Sequence, residues 1–361
     1  MLRTNLSTPT DGRMGYQWCS RLLRASRRCL CKRRATQTSW SACSAITAWE
    51  VTLRTIAVNA VLAGCRAVDF PIVLALAEIM ASPDFRVRDA SSTTSWEVLP
   101  LISGPDLQAH GFNTGPGVTR IGCRANSTIG RFTRLWIRNC VGIRIPPYWT
   151  DMAAFGQSTH VALAEDEAGT HELGWPSCRM EWGHARTDTV VGALGVVAVS
   201  APIYTAGSTP DPHLDVLARA IAGSSGYFGG VVYGGQWRAV LALTPATATV
   251  FAEAGMTKDD VRKRLAATAM APAWLLEAGF QGLGHGRADF GERVRSGRLP
   301  AAYARSDDPA RLVPVIPDPA SLIIIVAGNA GRCQAKYYLP VGQPGRFSSR
   351  AVVTRVPLPT S

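Results

Sequence analysis

Residues Thr189–Val199 read TVVGALGVVAV, an apolar run that predicts either one long buried strand or a pair of strands. From this run onward, short β-branched stretches alternate with stretches of helical spacing. Further strands are predicted over Trp237–Leu243 and over Leu322–Val326, the latter (LIIIV) at the centre of a sheet. A helix is predicted over His213–Ala222, closed by Gly223. This alternation favours an α/β fold with a mostly parallel or mixed sheet flanked by helices.

Other helices are predicted from their capping signals. Thr52–Ala63 has helical spacing and is followed by a glycine, as at many helix ends. Asp69 can cap a second helix, and the pair Thr244-Pro245 is typical of a helix start. Thr257 and Asp260 predict a capping box, with Asp in place of the preferred Glu or Gln.

The chain has 361 residues, enough for one large core or two smaller ones, and we predict two lobes. Residues 49–188 are predicted to form a helix-rich lobe with a glycine-rich loop, and residues 189–361 an α/β lobe. Residues 1–48 hold nine Lys/Arg against one Asp, which accounts for +8 of the net charge of +12. The remaining +4 is ordinary for a folded domain, so the body of the protein has little electrostatic support for binding nucleic acid.

The basic segment 1–48 has three interpretations. It is rich in Arg and Ser and poor in acidic residues, as transit-type leaders are. It could instead be an arm that binds nucleic acid. The third interpretation, which we favour, is an unstructured or wrongly assigned start that does not belong to the functional protein.

Several protein classes are disfavoured by the sequence. The longest apolar runs are interrupted by glycine or too short to cross a bilayer, so no membrane helix is expected. The nine cysteines are scattered without a CxxC pair, which argues against a disulfide framework or a zinc module and favours the cytoplasm. Walker A, GxGxxG, HExxH and GxSxG motifs are absent, and the sequence indicates no particular cofactor.

The densest functional signal is Gly104–Asn139, GPDLQAHGFNTGPGVTRIGCRANSTIGRFTRLWIRN, in which a glycine-rich loop runs into a basic helix predicted over Ser127–Asn139. Free N–H groups and the positive end of a helix suit a carboxylate or phosphate, so the predicted partner is a small anionic metabolite. The candidate binding residues are Asn113, Gly115, Gly117, Arg124, Asn126 and Arg131, with Gly328 and Gly331 after the LIIIV strand. The alternative is a solvated amphipathic helix whose arginines pair with surface acids, which we prefer for Arg134 and Arg138.

Cys65, in a tight connection between two predicted helices, is the candidate catalytic nucleophile. Cys123, just before the basic helix, has a similar setting. The alternative for each is a buried cysteine that acts as a small hydrophobic residue.

A group of acidic residues with histidines nearby is a weaker candidate for acid–base chemistry or metal binding. Glu165, Asp166 and Glu167 are adjacent, and we favour the interpretation that they are solvated loop residues. Cys178, Glu181 and His184 have helical spacing, but Gly183 and Pro176 argue against a rigid helix there. No metal site is predicted.

Three segments together resemble a poorly characterised bacterial family found beside UGSC-motif (seleno)proteins, some members of which are labelled thiol-disulfide isomerase. These segments are TIAVNAVLAGCRAVDFPIVLALAE (55–78), GFNTGPGVTRIGCRANSTIGRFTRL (111–135) and LIIIVAGNAGRC (322–333). The resemblance covers Trp49 to the C-terminus, and it implies a bacterial enzyme or accessory factor with Cys65 and the Arg124/Asn126/Arg131 group as shared positions. The missing CxxC pair departs from what a disulfide isomerase needs.

Two functional hypotheses follow from the sequence. The first is a bacterial enzyme that acts on a small anionic metabolite, thiol-linked ones included, with the anion held by the glycine-rich loop and arginines and Cys65 as the nucleophile. The second is a non-catalytic partner or accessory protein of a redox protein of the UGSC type.

Overall fold

The structure is a computed structural model that describes residues 42–44, 49–91, 95–145, 151, 153, 155–156, 159–226, 238–282, 289–340 and 347–352. Apart from residues 42–44, the predicted basic segment 1–48 lies outside these ranges, and so does Trp237. None of the described helices is long and apolar enough to cross a membrane.

The described strands are β1 (Ala42–Ser44), β2 (Trp49–Val51), β3 (Glu97–Ser103), β4 (Leu163–Ala164), β5 (Thr189–Val199), β6 (Ile203–Tyr204), β7 (Ala239–Leu243), β8 (Met270–Pro272), β9 (Leu312–Pro314), β10 (Leu322–Val326), β11 (Gln334–Pro340) and β12 (Phe347–Val352). The described α-helices are α1 (Leu53–Ala63), α2 (Phe70–Ala81), α3 (Arg124–Trp136), α4 (Glu167–Glu172), α5 (Cys178–Glu181), α6 (Pro210–Gly226), α7 (Pro245–Glu253), α8 (Lys258–Thr268), α9 (Ala273–Gly282) and α10 (Phe290–Arg295).

The strand β5 organises the main sheet. The apolar run at residues 189–199 forms one strand rather than a pair, and nine of its eleven residues are buried. On one edge it pairs antiparallel with β3, and on the other edge first with β12 and then with β11. The predicted lobes 49–188 and 189–361 therefore contribute to one sheet, because β3 comes from the first and β5 from the second.

The sheet has eight strands in the order β10–β7–β11–β5–β3–β4, with β12 beside β5 and β6 beside β11. Among the described strands of this sheet, β10–β7 and β3–β4 are parallel pairs and the other five pairings are antiparallel. The α/β fold with a mixed sheet flanked by helices is thus confirmed.

The prediction that Leu322–Val326 is a central strand is wrong for the described sheet, where β10 ends the order and pairs with β7 alone. The strand is apolar throughout because both its faces are buried. Its outer edge is covered by loop and helix groups instead of a strand. Asp166 N–H donates to the Val326 carbonyl (2.8 Å), and the Cys178 thiol donates to that of Ile324 (3.4 Å).

The sheet curls so that its two ends meet. Glu165 N–H donates to the Ile102 carbonyl on β3, and the next residue, Asp166, donates to Val326 on β10. The alternate side chains of each strand enter two separate clusters. The larger cluster packs against α1–α3 and α6–α8, whereas the smaller, on the opposite face, contains Ile323, Ile325 and the loop residue Val118.

Two of the predicted helices are confirmed in detail. Thr52 caps α1, which ends at Gly64 in the left-handed conformation (φ 90°) that favours glycine. Thr257 and Asp260 form the expected capping box at α8. The shorter Asp side chain reaches back to the Thr257 N–H at 2.9 Å.

Other helix predictions differ from the structure. The helix α6 runs through Gly223 instead of ending there, because Ile221 and Ser225 on either side of this glycine are buried against the sheet, where the Ser225 hydroxyl lies 3.0 Å from that of Tyr337. The basic helix begins at Arg124, three residues earlier than predicted, and continues into a π-helical turn, Ile137–Val141. Asp69 and Thr244 precede their helices but make no side-chain cap. The Asp69 carboxylate instead accepts from Arg66 (2.8 Å).

Candidate functional site

Two glycine-rich loops meet at the carboxyl ends of β3 and β10. Gly328 N–H donates to the Thr114 carbonyl at 2.8 Å, which joins the loop after β10 to the loop after β3. Gly328 has φ 108°, a main-chain conformation that residues other than glycine rarely adopt. Ligands of α/β proteins commonly bind outside the carboxyl ends of strands. The structure thus brings together the loops that carry the predicted residues Gly115, Gly117, Gly328 and Gly331.

Asn113 shapes the first of these loops. Its side-chain oxygen accepts from Gly115 N–H (2.9 Å), and its amide nitrogen donates to the Pro116 carbonyl (2.9 Å). Gly117, at φ 72°, occupies a left-handed position in the same turn. The loop is consequently held by its own short-range hydrogen bonds.

Asn126 acts as a clamp between segments and has no exposed surface. Its side-chain oxygen accepts from Asn113 N–H (2.8 Å), and its amide nitrogen donates to the carbonyls of Asn113 (2.9 Å) and Ala162 (3.0 Å). Both amide protons are therefore used by the main chain. The geometry makes Asn126 a residue that positions the glycine-rich loop rather than one with a free group for a ligand.

The arginines of α3 do not gather at one point. Arg124 is exposed at the helix start, with its guanidinium 3.4 Å from the Gly64 carbonyl. Arg131 follows seven residues later, about 10 Å along the helix axis. Arg134 pairs with Glu97 and Asp151, each at 3.2 Å, so it is neutralised by acids as expected, but both carboxylates are buried instead of lying on the surface.

Cys65 is buried where the end of α1 meets the start of α3. Burial raises the pKa of its thiol to about 12, although a hydrogen bond with Thr128 and the positive charge of Arg124 act in the opposite direction. The thiol is therefore protonated near neutral pH, which works against its use as a nucleophile.

We expect Cys65 to resist iodoacetamide at pH 8, because so little of it is thiolate and so little of it is exposed. Cys123, which is partly exposed, is expected to alkylate at least about tenfold faster. Peptide mass spectrometry of the folded protein over time measures both rates. Alkylation of Cys65 at the rate of a free thiol would contradict the assignment.

A buried charged cluster lies beside the same loops, where the ends of the sheet are bridged. The carboxylate of Glu165 is fully buried and accepts from the Ser103 hydroxyl (2.6 Å) and the Cys178 N–H (2.9 Å). Lys258 Nζ lies 3.6 Å from Glu165 and 3.4 Å from Glu181. The interpretation of Glu165 as a solvated loop acid is wrong, because the closure of the sheet carries it into the interior.

The charges in this cluster are balanced. Glu165 and Glu181 face Lys258 and Arg262, whose guanidinium lies 2.7 Å from Glu181. Burial raises the pKa of Cys178 well above its usual value, so this thiol is neutral. Such an arrangement can tie α5, α8 and β4 together. Within the described residues, no group of three or more His, Cys, Asp or Glu side chains could hold a metal ion.

Sequence reasoning missed Lys258, Arg120 and Arg332. The capping box at Thr257 marks a helix start but says nothing about the burial of the next residue. Arg120 and Arg332 are exposed and lie within the two glycine-rich loops. The two loops lie far apart along the chain, and only the contact of Gly328 with Thr114 shows that they touch.

The fold and these loops define an α/β protein with glycine-rich loops at the carboxyl ends of its strands. No protein-family model matches the sequence, and neither a curated protein nor a solved structure was found to be similar to it. The family resemblance therefore stays a prediction.

Proposed function

We propose that the protein binds a small anionic metabolite where the loops after β3 and β10 meet. The observation that supports this most is the hydrogen bond between Gly328 N–H and the Thr114 carbonyl, 2.8 Å long, which places two distant glycine-rich segments side by side. Glycines let a ligand approach the main chain closely, and loop N–H groups favour negative charge.

The electrostatics of the two loops support an anion as the ligand. Residues 113–124 and 327–334 contain Arg120, Arg124 and Arg332 and no acidic residue, and the one acid of the loop after β3 is Asp106, near the start of that loop. Arg120 N–H donates to the Gly117 carbonyl (2.7 Å), which anchors this arginine on the glycine-rich turn. A carboxylate or phosphate would gain charge-assisted hydrogen bonds from these guanidinium groups. Arg131, two helical turns from Arg124, is not part of the proposed site.

A thermal-shift experiment with inorganic phosphate, succinate and glutathione tests the proposal. An anion at 100 times its dissociation constant is expected to add about 2.7 kcal/mol to the free energy of unfolding. Replacing both Arg120 and Arg332 by alanine is expected to weaken binding roughly a hundredfold or more, because each charged hydrogen bond contributes about 1.5–3 kcal/mol. Arg219→Ala, an exposed arginine on α6, is the matched control. Equal stabilisation by the anion in the Arg120/Arg332 double variant and in the Arg219→Ala control would refute a site at these loops.

The second candidate, a non-catalytic accessory protein of a redox partner, is favoured by the burial of Cys65. A thiol whose pKa lies near 12 is a poor starting point for covalent catalysis. If binding alone is the function, Cys65→Ser retains the phosphate shift of the unchanged protein. If a folded Cys65→Ser variant is no longer stabilised by phosphate, the Cys65 thiol contributes to the anion site.

A further inference from the structure

A groove of about 280 Å³ lies between α1 and the end of α3, away from the glycine-rich loops. The two helices run antiparallel: Arg124 lies near Gly64 at one end, and Asn59 contacts Asn139 at the other. The groove is lined by Val51, Arg54, Val58, Leu62, Asn139 and Cys140.

An apolar ridge of α1 borders this groove and is left uncovered. Val58 is 39% exposed and Leu62 is 56% exposed, and their spacing of four residues places them on the same side of the helix. Arg54, one turn before Val58, continues the ridge. Adjacent exposed apolar side chains beside a groove are a feature of protein-binding surfaces.

The groove floor is preformed by hydrogen bonds. Asn139 donates to the Asn59 side-chain oxygen (2.6 Å), and Asn59 donates to the Thr55 carbonyl (2.8 Å). Asn139 and Cys140 belong to the π-helical turn, a local irregularity that often accompanies binding sites. A rigid floor reduces the ordering cost of binding.

The surrounding surface is strongly positive. Residues 53–63 and 124–141 contain five arginines and no acidic residue. Arg134 is neutralised by Glu97 and Asp151. The other four, Arg54, Arg124, Arg131 and Arg138, are exposed, and the last three recur every seven residues along one side of α3 and its π-helical turn.

We propose that this face docks an acidic amphipathic helix of a protein partner. The apolar side chains of that helix would pack on Val58 and Leu62 and enter the groove, while its acidic residues would face the arginines. Nucleic acid fits less well, because a phosphate backbone gains nothing from an apolar ridge. Arg124 borders both this surface and the proposed anion site, so the variants below leave Arg124 and the glycine-rich loops unchanged, and the two proposals can fail independently.

Fluorescence anisotropy with two designed peptides tests the proposal. One labelled helical peptide carries leucines along one face and glutamates elsewhere, and the second has lysines in place of the glutamates. The acidic peptide is expected to bind at least about tenfold more tightly than the basic one, and more weakly as salt rises. Val58→Ser with Leu62→Ser is expected to weaken its binding roughly tenfold, and so is Arg54→Glu with Arg138→Glu.

The matched control is Val216→Ser with Arg219→Glu on α6, where a valine of the same exposure (39%) lies one turn from an exposed arginine. It should leave peptide binding unchanged. Circular dichroism confirms that each variant is folded. Equal affinity for both peptides, or no effect of the Val58/Leu62 change, would overturn the proposal. Labelled duplex DNA is the competing probe. If DNA binds more tightly than the acidic peptide, and its affinity is unchanged by Val58→Ser with Leu62→Ser, the face is a polyanion-binding surface instead.

Discussion

Replacing Lys258 by methionine is expected to lower the free energy of unfolding by about 3–5 kcal/mol, because it leaves a fully buried carboxylate without its cation. Glu165 would keep its hydrogen bonds from Ser103 and Cys178 but lose the ammonium group at 3.6 Å. Glu181 would keep only Arg262 among its ion pairs. Urea unfolding at neutral pH measures the loss.

The exposed pair on the same helix provides the control for this prediction. Lys263 lies 2.7 Å from Asp259, with both side chains more than half exposed. Lys263→Met is expected to leave the urea midpoint almost unchanged, because an exposed ion pair contributes little to stability. The double variant Lys258→Met/Glu165→Gln should recover part of the loss, since no unpaired charge remains on Glu165. A cost below about 1 kcal/mol for Lys258→Met would show that water reaches Glu165.

Replacing Gly130 by alanine is expected to destabilise the protein by about 3 kcal/mol or more, although alanine is the better helix former. An added Cβ would lie closer than 3.0 Å to the carbonyl carbon of His160 and to the nitrogen of Val161. These are main-chain atoms of the segment that leads to β4 and Glu165, so they cannot move aside without shifting the closure of the sheet. Thermal and urea unfolding both measure the effect.

Gly223→Ala is the natural comparison, because Gly223 is also inside a helix but nothing lies within 4 Å of the place that an added Cβ would occupy. There alanine is expected to stabilise by up to about 1 kcal/mol. Similar stability changes at the two glycines would contradict the close approach of α3 to residues 160–161.

The helices Leu53–Ala63 and Lys258–Thr268 were predictable because their signals, a glycine after the first and a capping box at the start of the second, are local. A capping side chain and the N–H groups that it serves lie within three residues, so the sequence contains the whole interaction. The Asp69 cap failed because another nearby partner, the main chain and guanidinium of Arg66, takes its carboxylate. Competing local bonds of this kind cannot be ranked from residue types alone.

The candidate site was predictable only in parts. Each glycine-rich loop was recognisable from its composition, but their contact depends on the path of β3 and β10 through a mixed sheet. The expected cluster of Arg124, Asn126 and Arg131 did not form as one group. Arg131 lies about two helical turns beyond Arg124 and therefore away from the glycine-rich loop. The Asn126 side chain is used up by hydrogen bonds to the main chain of Asn113 and Ala162, which are distant from it in sequence.

By itself the sequence determined that Thr189–Val199 is buried β-structure, the α/β class and the ends of several helices, since these depend on apolar runs and on neighbours along the chain. The tertiary structure alone decided which charges and which thiols became buried, which strand ends the sheet and which distant loops touch. Those properties depend on solvent exclusion and on contacts between residues far apart in the chain. No short segment of the sequence determines either of them.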